Sequence, residues 1–157
     1  MNPILLDFPD SFDTERLTIR GPQHADAQEI ATAVNESLTS TFVAGSGLHR
    51  IDWAARKFEI GYWCRSGYVG HGYVTEAVNA ITEFAFTYLQ ANRVEIRCDT
   101  RNTRSIAVAR RCGFLQEGIL RHDSLGVDGE LRSTFVFAKI SPNEFNYYDA
   151  AGQKIEG

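Results

Sequence analysis

The chain has 157 residues, enough for one domain, and its balance of 43% hydrophobic to 23% charged residues is that of an ordinary globular protein. A net charge of −4 argues against a nucleic-acid binder, which carries a basic stripe. No apolar run is long enough to span a membrane, and the N-terminus lacks the basic start and small-residue cleavage site of a signal peptide.

The three cysteines, Cys64, Cys98 and Cys112, are odd in number and form no Cys-x-x-Cys pair. They read as reduced, packed thiols, so a cytoplasmic location is expected. The four histidines are scattered and no pair has metal-ligand spacing, so no metal is expected.

In chain order, Met1–Asp13 is a lead-in and Arg16–Arg20 alternates as a first strand. Pro22–Leu38 reads as a helix, with Ala25, Ile30, Ala31, Val34 and Leu38 near one face. Phe58–Cys64 is a central strand, in which Phe58, Ile60 and Tyr62 alternate with Glu59, Gly61 and Trp63. Gly67, Gly70 and Gly72 then break regularity and bare the backbone N–H groups.

Gly72–Leu89 is a long helix, because Val74, Ala77, Val78, Ile81, Phe84, Ala85 and Tyr88 recur at helical spacing. Arg93–Asp99 alternates as a strand. Asn102 caps a helix through Arg111, and Gly113 stops it. Phe114–Arg121 and Leu131–Ile140 close the fold as two strands, with the turn signal Asp128-Gly129 between them. The domain is expected over residues 1–140, with 141–157 as a tail.

A strand that feeds a glycine turn and a helix start can bind a phosphate, since the first N–H groups of a helix have no internal partner and that end is partly positive. The turn is neither a P-loop, for lack of Gly-Lys-Ser/Thr, nor a dinucleotide fingerprint, whose third glycine position is Thr75. A plain strand-to-helix turn without ligand is the alternative.

Gly61-Tyr62-Trp63 followed by Tyr68-Val69-Gly70-His71-Gly72-Tyr73-Val74-Thr75-Glu76-Ala77 resembles the acetyl-CoA-binding motif of the GNAT acetyltransferases. A second block, Asn102-Thr103-Arg104-Ser105 with Ala109, Arg110, Cys112, Gly113 and Phe114, resembles the RimJ/RimL-type branch, the ribosomal-protein N-terminal acetyltransferases. The likeness runs from about Thr14 to Ile140. It implies an α/β fold with a mixed, mostly antiparallel sheet, a V-shaped split beside the central strand and helices on both faces. Thr41–Asp52 resembles the family's third strand. The second helix and second strand that relatives place before it are therefore expected to be absent, leaving a strand edge open to homodimerisation.

The resemblance also implies roles. The backbone over Val69, Gly70, His71, Gly72, Tyr73 and Val74 would hold the pyrophosphate of acetyl-CoA, and Trp63, Cys64 and Arg65 would pair with the pantetheine amides. The family usually has Arg or Gln where Val69 stands and Gly or Ala where Val74 stands. Asn102 would cap its helix and touch pantetheine. Arg110, with Arg104 and Arg111, would meet nucleotide phosphates.

Acetyl transfer to an amine needs a neutral amine, a stabilised oxyanion and a proton for the leaving thiolate. Glu59 is the first candidate base, with a structural ion pair as its bland alternative. Asp123 and His122 are the substitutes in the loop where relatives carry a base, since the matching residue is Ser124. Ser105 is the candidate proton donor to the thiolate, and a serine capping its own helix is its alternative.

The expected activity is acetylation of a primary amine, foremost a protein N-terminal α-amine, with a small-molecule amine behind it. A non-catalytic acyl-CoA-binding module is the reading from another class.

Overall fold

A computed structural model of the chain describes residues 11–20, 33–36 and 41–143. These form one eight-stranded sheet and two α-helices. In chain order they are β1 Ser11–Asp13, β2 Leu17–Arg20, β3 Ala33–Glu36, β4 Thr41–Asp52 and β5 Lys57–Cys64, then α1 Tyr73–Thr87, β6 Arg93–Asp99, α2 Thr103–Arg111, β7 Leu115–Leu125 and β8 Leu131–Lys139. The sheet order is β1-β2-β3-β4-β5-β6-β8-β7. All pairings are antiparallel except β5 with β6, which a helix crossover joins in parallel.

Most elements lie within a residue or two of where their periodicity puts them. The first half differs. Ala33–Glu36, expected to end a helix, is a strand that pairs with β2 on one side and β4 on the other. Its neighbours decide the matter: two antiparallel ladders override a four-residue helical pattern. The strand expected to be absent before Thr41 is thus supplied by β3, and the argument for dimerisation through an open edge there falls away. The remainder of the expected helix, 22–32 and 37–38, lies outside the described residues, as does the tail after 143.

The sheet has two chemically different faces. On β5 the buried Phe58 and Ile60 join the half-buried Tyr62 against α1 and α2, in a core that includes Ala77, Val78, Ile81, Val94, Ile96, Ile106, Ala109 and Phe137. The helices touch each other, and the Cys112 Sγ at the end of α2 donates to the Thr75 carbonyl of α1 at 3.6 Å. Glu59, Gly61 and Trp63 project from the opposite face, as strand alternation requires. Buried Glu95 lies there beside Glu59, in register across the β5–β6 pair.

Candidate active site

The parallel pairing of β5 with β6 covers only Lys57–Arg93, Phe58–Val94 and Glu59–Glu95. β6 runs on beside β8 as far as Asp99. Past Glu59 the two central strands part, and this is the split expected beside the central strand. Trp63, Cys64 and Arg65 lie at its mouth and Glu59 at its apex. Strands that part in this way offer one edge to an extended ligand that can add as a further strand.

At the open end β5 passes through a short turn of 3-10 helix, Ser66–Tyr68, into the glycine loop. Gly70 and Gly72 have φ of 86° and 81°, the left-handed region that glycine enters without steric penalty. Gly72 caps α1 without a side-chain bond. The first bond of the helical ladder runs from the Glu76 N–H to the Gly72 carbonyl at 3.0 Å. The N–H groups of Tyr73, Val74 and Thr75 precede it and so point out of the helix. Val69, Gly70, His71 and Gly72 are exposed, and Tyr73 and Val74 half-buried. Nothing lies within 4 Å of where a Cβ on Gly70 would be. A bare, outward-facing helix N-terminus of this kind fits a pyrophosphate. His71 stacks on the Tyr73 ring with centroids 5.7 Å apart, and its Nδ1 lies 3.2 Å from the Tyr68 carbonyl, so the loop itself holds the ring.

The loop is anchored from the turn between β1 and β2, a feature that sequence reasoning missed. Glu76, in the first turn of α1, accepts bonds from the Thr14 hydroxyl at 2.5 Å and from the Arg16 N–H and Nε, each at 2.8 Å. Arg16 Nη1 also donates to the His71 carbonyl at 3.0 Å, and its guanidinium lies 4.9 Å from the Tyr73 ring centre. Partial burial pushes the Glu76 carboxyl up, but the bonds from Thr14 and Arg16 outweigh it and hold the group below the usual carboxylate range. A Thr-x-Arg opening and a glutamate three residues into a helix were both visible in the sequence. Their pairing was not, because 60 residues separate Arg16 from Glu76.

Ser105 lies half-buried in the first turn of α2. Its N–H donates to the Asn102 side-chain oxygen at 3.1 Å, so Asn102 makes the cap. The serine hydroxyl is not the capping group of this helix. The Tyr62 hydroxyl donates to the Ser105 carbonyl at 3.0 Å, which ties α2 to β5 across the core face. Burial pushes the Tyr62 phenol well above its ordinary range, so it remains a donor. Arg104, Arg110 and Arg111 are exposed on α2.

Glu59 is enclosed. Its side chain is only 9% exposed, with His49 Nε2 3.2 Å from Oε1 and Arg50 Nη1 3.4 Å from Oε2. Arg97 Nε stands 3.8 Å from the same Oε2. Arg50 reaches this face because a bulge between His49 and Asp52 turns β4, with Arg50 itself at φ 46°. Next to Glu59, burial pushes the Glu95 carboxyl up, but bonds and charge from Arg93 and Arg97 reverse the shift and hold it low. His49, Arg50 and Arg97 were not singled out from the sequence. The register of the β4–β5 hairpin, which sets His49 opposite Glu59, is the signal that would have found the first. The substitute bases His122 and Asp123 are exposed on β7, separated from β5 by β6 and β8. The structure therefore brings neither of them beside Glu59.

A family model of the acetyltransferase (GNAT) domain matches residues 28–115. YdaF of Bacillus subtilis (strain 168), provisionally named a ribosomal N-acetyltransferase, is 39% identical over 125 residues, covering 77% of this chain and 66% of that protein. The chain spans about half to two thirds of the length of the curated relatives it matches. Among solved structures, one provisionally named a ribosomal-protein-serine acetyltransferase from Vibrio cholerae shares the fold. Its TM-score is 0.69 at 24% identity, covering 87% of this chain and 99% of that one. The microcin C7 self-immunity acetyltransferase MccE, solved with acetyl-CoA and AMP, gives a TM-score of 0.63 at 28% identity over 70% of this chain and 59% of its own. With the parted central strands, the glycine loop and a domain match over more than half its length, this chain belongs to the GNAT acetyltransferase family.

Proposed function

We propose that the chain is an acetyl-CoA-dependent N-acetyltransferase whose acceptor is a protein N-terminal α-amine. The observation that carries the activity is the parting of β5 and β6 at Glu59, next to a helix N-terminus stripped of side chains by Gly70 and Gly72. Such a cleft suits a ligand with a phosphate end and an amide-bearing arm. MccE, whose structure holds acetyl-CoA, supports this choice of ligand. The acceptor class rests on the likeness to YdaF.

In this reading acetyl-CoA supplies an activated acyl thioester. The N–H groups of Tyr73–Thr75 hold its pyrophosphate, and the exposed arginines of α2 add positive charge near the nucleotide. The edge of β5 past Glu59 aligns the pantetheine arm, so the thioester comes to rest at the apex. Ser105 on α2 offers its hydroxyl to the departing sulfur, and the carboxylate of Glu59 marks where the amine must shed its proton.

Calorimetric titration with acetyl-CoA tests the first half. Micromolar binding, about −8 kcal/mol, is expected, with loss in Gly72→Val, whose side chain would be strained at φ 81°. Mass spectrometry of peptides with free N-termini, run beside a polyamine, tests the acceptor. In the same assay Ser105→Ala is expected to lower the rate at least about tenfold. Binding without turnover of either amine would make the chain an acyl-CoA-binding module. Turnover of the polyamine alone would overturn the acceptor class.

A further inference from the structure

On the face of the sheet away from α1 and α2, three cross-strand pairs of β4 and β5 follow one another: His49 with Glu59, Gly47 with Gly61, and Gly45 with Trp63. The middle pair has no side chains. The imidazole of His49 leans into that gap. A Cβ on Gly61 would fall 2.8 Å from its Cε1 and 3.3 Å from its Nδ1. At the other end the Trp63 indole lies over Gly45, where a Cβ would come within 3.1 Å of three indole atoms, including Cζ2. Bare backbone is thus framed by an imidazole and an indole, two residues past Glu59 at the apex of the split.

The two oxygens of Glu59 are already committed. Oε2 faces two guanidiniums, Arg50 at 3.4 Å and Arg97 at 3.8 Å. Oε1 lies 3.2 Å from His49 Nε2. A carboxylate oxygen accepts, so the contact assigns the hydrogen of a neutral imidazole to Nε2 and the lone pair to Nδ1. That lone pair is on the ring edge above Gly61. The His49 side chain is 48% exposed against 9% for Glu59, so an incoming amine meets the imidazole first.

We propose that His49 Nδ1 is the proton acceptor for the amine, with Glu59 the positioning residue that fixes its tautomer. This deepens the acetyltransferase reading and rests on it. The acceptor ammonium, seated over Gly47 and Gly61, gives one proton to Nδ1. The freed amine attacks the thioester carbon, the C–N bond forms and the C–S bond breaks. The second amine proton passes to the departing thiolate, which leaves as the thiol, and the imidazolium returns its proton to solvent. The charged group paired with the imidazole is Glu59 of β5, whose other oxygen is approached by Arg50 of β4 and Arg97 of β6.

Two measurements separate this inference from the function it rests on. Steady-state turnover of a peptide amine is compared in wild type, His49→Gln and Glu59→Gln. His49→Gln is expected to lose at least tenfold in kcat/KM and the acid limb of the pH profile, with the acetyl-CoA Kd unchanged. Glu59→Gln, which still offers an acceptor to Nε2, is expected to lose less. If His49→Gln keeps half of the activity, or Glu59→Gln is the more damaged, the inference fails while the acetyltransferase reading stands. No turnover in wild type removes both. Long-range proton–nitrogen NMR of the imidazole provides a readout without substrate. The Nε2–H tautomer is expected in wild type, with its preference lost in Glu59→Ala, which offers Nε2 no acceptor. A dominant Nδ1–H tautomer would overturn the inference whatever the kinetics show.

Discussion

Removing Glu76 tests whether the turn between β1 and β2 holds the phosphate loop in place. Glu76→Ala deletes an acceptor of three bonds, from Thr14 Oγ1, Arg16 N and Arg16 Nε, at 2.5 to 2.8 Å. Hydrogen bonds to a charged group contribute about 1.5–3 kcal/mol each when shielded. Here the carboxylate side chain is 18% exposed but its guanidinium partner is 44% exposed. Solvent screening therefore reduces the ionic share, and about 2 kcal/mol is expected for the whole carboxylate. In a chain of this size that is a fall in Tm of roughly 4–8 °C.

The functional loss follows from Arg16, which grips Glu76 and the His71 carbonyl together. Freed from Glu76, it no longer fixes the loop, and acetyl-CoA affinity should weaken about tenfold, near 1.4 kcal/mol. Acid titration gives an independent check. The folded carboxyl is held below its ordinary value of 4.5. Its stabilisation is therefore full at neutral pH and is lost as pH falls through that lowered value. Urea unfolding of wild type and Glu76→Gln should differ at pH 7 and converge in acid. Equal stability at pH 7 together with unchanged acetyl-CoA affinity in Glu76→Ala would refute the anchoring argument.

Gly61→Ala places a methyl 2.8 Å from the half-exposed His49 ring, which swings away. Stability should change by less than about 1 kcal/mol in urea unfolding while turnover falls as it does in His49→Gln. Phe137→Ala removes one of the largest fully buried side chains and should cost about 3–5 kcal/mol by denaturant titration. The Cys112 thiol, 2% exposed, is pushed up to about 12 mainly by burial, so alkylation at pH 8 followed by peptide mass mapping should leave it unmodified in the folded protein and label it in urea.

Much of the second half of the fold was legible because each element there carries its own period. Phe58, Ile60 and Tyr62 alternate, Val74 to Ala85 repeat at helical spacing, and Asn102 and Gly113 mark the two ends of α2. β3 was not legible. Ala33-Val34-Asn35-Glu36 has no strand pattern of its own and is held by partners on either side. The extension of β7 to Leu125 was hidden for a similar reason. An irregularity between Leu120 and Ser124, with His122 at φ 51°, breaks the alternation that a strand would show. In the candidate site, the residues of the glycine loop could be read because the loop is local in sequence. The groups that surround Glu59 come from β4 and β6, and those that anchor Glu76 come from the turn between β1 and β2. No short window of sequence contains either set.

One strand links these observations. Strand alternation means that β5 cannot bury Phe58 and Ile60 without presenting Glu59 and Gly61 on the other face, and a slip of one residue would exchange the two sets. The fully buried Phe58, with the Trp53 ring edge-on at 5.4 Å, therefore sets the register on which the charged cluster depends. The burial of Glu59 and Glu95 beside each other would be costly for either alone. It is offset by Arg50, Arg93 and Arg97, which approach from three positions on two strands. Pairing with β6 stops at this carboxylate pair, so the point where the sheet opens is also the point where its charge is most tightly held. Under the proposed function, an acceptor amine would enter the split beside carboxylates already paired with guanidiniums, and charges in place before the reaction reorganise less as it proceeds.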